Sequence, residues 1–198
     1  YSLAFKFLLK AYEVFYCLDI EDNEGETVGL SCTIISQWAN IIMCMDDLER
    51  MEAFAELGQY LNRMRDYYDK QKILEKFYDC LNGKEFLKLM LDFVTEQLDY
   101  IESHDDISNR EYALEGFAKM YLELLKKNKA SKKEISAIYK KYWKCGSIRM
   151  DFIYTCINNK EYDKALDYID KFIDLDYKNQ SFIKLDMKLK KDIYKKQG

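Results

Sequence analysis

Proline is absent from all 198 residues of the chain. A helix interior cannot hold proline, whereas the connections of sandwiches and α/β folds ordinarily carry some, so its absence argues for continuous helices. The abundance of Lys, Tyr, Ile and Asn, as an AT-rich genome would encode, accounts for part of it. Histidine is nearly absent as well. His104 is the only one, which removes most nucleophile–base pairs and most zinc sites. It stands in Ser103-His-Asp-Asp106 and reads as a solvated turn residue. No two cysteines lie two apart, and no glycine-rich phosphate loop, dinucleotide fingerprint or nucleophile elbow occurs. The acidic run Asp19, Glu21, Asp22, Glu24, Glu26 lacks the glycine that a calcium loop needs at its sixth place, where Glu24 stands. These absences predict a chain with no catalytic residues, no metal and no cofactor.

Long apolar runs are missing too. Thr27 to Met45 carries no formal charge, but Ser31, Thr33, Ser36, Gln37 and Asn40 interrupt it, and a buried helix with cover on both sides is expected rather than a membrane span. Lys6, Lys10 and Glu13 spoil the first sixteen residues as a signal peptide. The net charge of −4 argues against a surface wholly committed to nucleic acid or to an anionic membrane. Because the six cysteines sit mostly at apolar helical positions, they read as buried small hydrophobes in a reducing, cytoplasmic compartment.

What is present is helical spacing of apolar residues. With 48% hydrophobic and 33% charged residues the chain should fold, and no two-residue alternation predicts strands. Tyr162, Ala165, Leu166, Ile169, Phe172 and Ile173 share one face of a helix over about 161–175. Ile34, Ile35, Trp38, Ile41, Ile42 and Met45 form a second stripe over 30–45, following a turn near Gly29. Further helices are predicted at 3–18, 47–64, 70–81, 84–102, 110–126, 131–143, 148–158 and 181–196. Ser108 with Glu111 and Ser131 with Glu134 match the capping box, and Gly83 and Gly146 suit left-handed residues that close a helix. The expected architecture is all-α: about ten helices in antiparallel pairs, forming one domain over 1–198. Within it, 1–18 is the first helix, 19–29 an acidic linker and 30–198 a helical array. A chain beginning at Tyr1 reads as part of a longer protein.

Residues 148–179 resemble one tetratricopeptide repeat, with the turn Asn158-Asn-Lys-Glu-Tyr162, then Asp163-Lys-Ala-Leu166, and Ala165 at the tightly packed alanine position. Ile153, Phe172 and Tyr177 depart from the family's glycine, small residue and proline, so the pair is degenerate. Ile148-Arg149 followed by Asn159-Lys-Glu-Tyr-Asp-Lys-Ala-Leu166 is similar to the C-terminal helical region of bacterial SWIM zinc finger proteins. The zinc motif itself, C-x-C with a later C-x-H, is absent. What the resemblance implies is a TPR-like superhelical array that binds a protein partner or another part of its parent chain.

One charge cluster suggests a different partner. Between Lys126 and Arg149 nine basic residues and one acidic residue give a local balance of +8. Lys133, Lys140 and Lys144 are spaced to share a helix face, beside Tyr139, Tyr142 and Trp143, whose rings suit base stacking in a nucleic-acid site. The competing reading buries Ile135, Ile138, Tyr139 and Tyr142 and leaves the lysines to solvate the back. An acidic run, Asp92, Glu96, Asp99, Glu102, Asp105 and Asp106, offers the basic face an alternative partner.

Overall fold

Ten stretches of helically spaced apolar residues become ten helices in the computed structural model. It describes residues 1–16, 26–64, 66–80, 83–107, 109–175 and 180–197, and among these there is no strand. The helices are α1 (Ser2–Tyr16), α2 (Glu26–Met43), α3 (Asp47–Arg63), α4 (Tyr67–Cys80), α5 (Lys84–Ser103), α6 (Arg110–Lys127), α7 (Lys132–Lys141), α8 (Gly146–Asn158), α9 (Tyr162–Leu175) and α10 (Gln180–Gln197). The all-α reading therefore holds. No helix among the described residues is long and apolar enough to cross a membrane. The chain divides into two compact units, residues 1–129 and 130–198.

In the first unit, helices pack both with their neighbour and with the helix after it. Packed pairs include α1 with α2, α5 with α6, α1 with α3, α2 with α4, and α4 with α6. α3 meets α5 where Gly58 faces the Phe93 ring and Gln97 Nε2 donates to Asn62 Oδ1 at 2.8 Å. Odd-numbered helices thus lie against odd, and even against even. At the centre is Trp38 of α2, with no exposed surface. Its ring centroid lies 5.1 Å from Tyr12, 6.2 Å from Phe5 and 6.4 Å from Phe77, and Tyr12 meets Tyr60 edge-on at 6.2 Å. Four helices share this cluster. α4 and α6 come close because residue 116 is glycine: a Cβ there would fall 1.8 Å from Gln71 Nε2, which donates to the Ala113 carbonyl.

The second unit runs α7 to α10, each helix packed on the next. Ile153, Cys156, Ala165, Ile169, Phe172, Leu189 and Ile193 form its core. Ala165 and Ile169 are fully buried.

Helix ends are closed by arginine more than by glycine. Arg50 Nε and Nη2 donate to the carbonyls of Ile42 and Met43 at the end of α2, each at 3.1 Å. Arg110 does the same for α5, donating to Ile101 and Glu102 at 2.8 Å each. Arg149 Nη1 donates to the Lys144 carbonyl, just past α7. In each case a guanidinium from the start of one helix satisfies carbonyls near the end of the one before, pinning the connection. Ser131 and Glu134 form the predicted capping box, and Asp46 with Glu49 forms another.

Several local expectations are corrected. Gly146 does not close a helix but opens α8, and Gly83 precedes α5 at φ 133°, ψ 151°, a conformation essentially reserved for glycine. The left-handed positions after α6 and α8 fall instead to Lys129 and Lys160. Gly29 lies inside α2, which begins at Glu26, so no turn separates it from Leu30. Ser108 lies outside the described residues, and α6 starts at Arg110 with no side-chain cap from Asn109. Most of the acidic run 19–26 also lies outside them, as do Tyr177 and Cys17. The face of α2 opposite Trp38 is exposed at Cys32, Thr33, Gln37 and Asn40, so it lacks the expected second cover. Cys145 and Cys156 are buried, whereas Cys32 and Cys44 are exposed.

Two variants test this packing. Trp38→Ala should lower the unfolding free energy by about 3–5 kcal/mol, because a fully buried ring leaves a cavity among four helices; chemical denaturation measures it. Arg110→Ala should cost about 1–2 kcal/mol, and Arg110→Lys should recover little of it, since an ammonium cannot span two carbonyls as a fork does.

Candidate functional site

The sequence placed its candidate site in the second unit. Lys133, Lys140 and Lys144 are exposed there, but α7 ends at Lys141, so Lys144 sits in the following turn and not on the same helix face. Arg149 is buried, its guanidinium 5.3 Å from the Phe172 ring centre, and adds nothing to an exposed basic surface. Trp143 is committed to rings of its own chain, with centroids 4.8 Å from Phe172, 5.3 Å from Tyr168 and 5.9 Å from Phe152. Tyr142 is buried. The Tyr139 hydroxyl donates to Asp151 Oδ2 at 2.6 Å, and burial together with that carboxylate holds it well above the ordinary phenol range. Of the three rings expected beside the lysines, Tyr139 and Tyr142 are therefore buried, and Trp143 is half-buried against the core of its own unit. His104 is exposed and stacks on Tyr100 at 4.0 Å.

A different site, in the first unit, was not picked out from the sequence. α4 carries its apolar stripe at Ile73, Leu74 and Phe77, all fully buried, and Lys70 continues that stripe one turn earlier. The side chain is consequently carried inward and is only 3% exposed. Its Nζ donates to Gln97 Oε1 at 3.0 Å and lies 4.4 Å from the centre of the Tyr67 ring. Gln97 is buried too, on α5 between Val94 and Leu98, and its amide is oriented by Asn62 of α3. Tyr67 is braced edge-on by Phe117 at 6.0 Å. No carboxylate among the described residues comes within ion-pair distance of Lys70, and burial pushes its pKa down from 10.5 to about 8. Tyr67 is shifted the other way: burial foremost, then Tyr100 and Asp106, raise its hydroxyl.

These residues line a cleft of about 750 Å³ between α3, α4 and α5, with Asn62, Arg63, Met64, Glu96, Tyr100, Asp106 and Ile107 around them. The convergence of polar groups on a solvent-open cleft, with a buried lysine of lowered pKa in its wall, makes it a candidate ligand site. No group of three or more potential metal ligands occurs among the described residues.

No protein-family model, curated protein or solved structure matches the chain.

A signal for the cleft was present in the sequence. Lys70, Ile73, Leu74 and Phe77 stand at i, i+3, i+4 and i+7, and Gln97 falls within the stripe of Phe93, Val94, Leu98 and Ile101. Polar residues on apolar stripes are the informative exceptions.

The lysine has a measurable stability consequence. Its pKa is about 8 folded against 10.5 as the unperturbed value, so between these pH values the unfolded chain binds more protons and stability rises with pH. Below about pH 8 the penalty of burying the ammonium is fully present. Relative to Lys70→Met, the wild-type chain should therefore gain about 2–3 kcal/mol of stability between neutral pH and pH above 10. Urea titrations of both proteins across that range check this, and a difference that stays constant with pH would contradict it.

Proposed function

We propose that this chain is a non-catalytic, TPR-like helical interaction module of the cytoplasm, binding another protein or another part of its parent chain. The observation that carries the reading is the outer face of α1. Its inner face is buried through Phe5 and Tyr12, yet Leu3, Phe7 and Val14, at i, i+4 and i+11, are exposed on the opposite side, with only Lys10 at i+7 charged among them. Leu3 is 82% and Phe7 72% exposed. A helix with apolar residues on both sides is normal inside a stack of helix pairs, where a second element covers the outer side. The odd-on-odd and even-on-even packing of α1 to α6 supports the same reading, since it is how successive helix pairs stack into two rows. The apolar side of a further helix is the occupant this face fits.

Placing a photo-cross-linking amino acid at position 7 should attach the partner covalently in cells. Leu3→Glu combined with Phe7→Glu should abolish co-purification of that partner while leaving thermal stability nearly unchanged, because both side chains are already in water. Undiminished recovery with the double variant would reject the α1 face.

A further inference from the structure

Lysine carries three N–H donors. On Lys70, Gln97 Oε1 takes one and the Tyr67 ring face meets the ammonium from another side. No third acceptor from the described residues reaches it, and the group is 97% removed from solvent at the wall of an open cleft. A buried cation compensated only by an amide and a ring is costly, and an anionic acceptor arriving from the cleft would relieve that cost. The rest of the lining decides which anion fits. Arg63 adds one positive charge, while Glu96 and Asp106 add two negative ones, so the described ionisable groups of the cleft balance to zero. A phosphate dianion would meet both carboxylates. A ligand holding one carboxylate and one ammonium would match each sign. Tyr67, Tyr100, Met64 and Ile107 supply apolar wall beside the charged groups.

We propose that the cleft between α3, α4 and α5 is a binding site for a small amino-carboxylate of the free amino-acid class. Its carboxylate would accept from Lys70 and its ammonium would face Glu96 and Asp106. Gln97 Oε1 accepts from the Lys70 ammonium, and Asn62 Oδ1 orients the Gln97 amide. This site is separate from the apolar face of α1.

The test uses the full chain with a panel of the twenty free L-amino acids at millimolar concentration, read by thermal shift and then by calorimetry. At least one should raise the melting temperature. Its N-acetyl and carboxamide derivatives should each bind at least about tenfold more weakly, the loss of one charge-assisted contact. Lys70→Met should abolish binding and Glu96→Gln should weaken it. Glu96 lies exposed on the rim, so that variant keeps the test decisive if Lys70→Met perturbs folding. Inorganic phosphate is the control. The proposal is overturned if no amino acid shifts the melting temperature, if phosphate binds as well as the best amino acid, or if the N-acetyl derivative binds equally well.

Discussion

Trp38 is fully buried, and its ring meets side chains from two other helices, with a third reached through Tyr12. Because an indole is large and has well-defined rotamers, it constrains the separation and orientation of α1, α2 and α4 together, and dispersion contacts reward only that arrangement. In the second unit the chain's other tryptophan, Trp143, is partly buried and packs against the core through Phe152, Tyr168 and Phe172. Within the first unit, α3 and α4, two of the helices that flank the cleft, both contribute rings to the Trp38 cluster through Tyr60 and Phe77.

Against that background the buried polar residues of the first unit stand out. Gln71 lies over Gly116, where its amide reaches a helix carbonyl, and so serves close packing. Lys70 does not. A methionine would fill much of the same space without a charge to desolvate, and no carboxylate among the described residues offsets the ammonium. Proteins commonly accept such local destabilisation where a charge must be held ready for a ligand. The network of Asn62, Gln97 and Lys70 has the same logic, since Asn62 Oδ1 accepts from the Gln97 amide and Gln97 Oε1 in turn accepts from the Lys70 ammonium beside the cleft.

The two proposed surfaces make different demands. The α1 face is mostly apolar, exposed and convex in chemistry to another helix, so it suits a macromolecular partner. The cleft is polar, nearly balanced in charge and of small-molecule size. Both lie within the first unit, whereas the exposed Lys133, Lys140 and Lys144 of the second unit flank Tyr139 and Tyr142, which are buried, and Trp143, which is half-buried against three rings of its own unit.

The helical class, the number of helices and most of their bounds were legible in the sequence, because burial of one stripe per helix writes a 3.6-residue period directly into the order of residues. Capping boxes such as Ser131 with Glu134 were legible for the same reason, being contacts between residues three apart. Helix closures were not. The sequence offers Gly83 and Gly146 as C-terminal stops, but Gly83 immediately precedes α5 and Gly146 opens α8, while carbonyls at the ends of α2 and α5 accept from Arg50 and Arg110 reaching back across a turn. The fate of the basic segment, the burial of Arg149 and the inward course of Lys70 also depended on contacts between residues far apart in the chain. Spacing records which side chains share a face; only the packed helices decide whether that face meets water, a ring or the wall of a cleft.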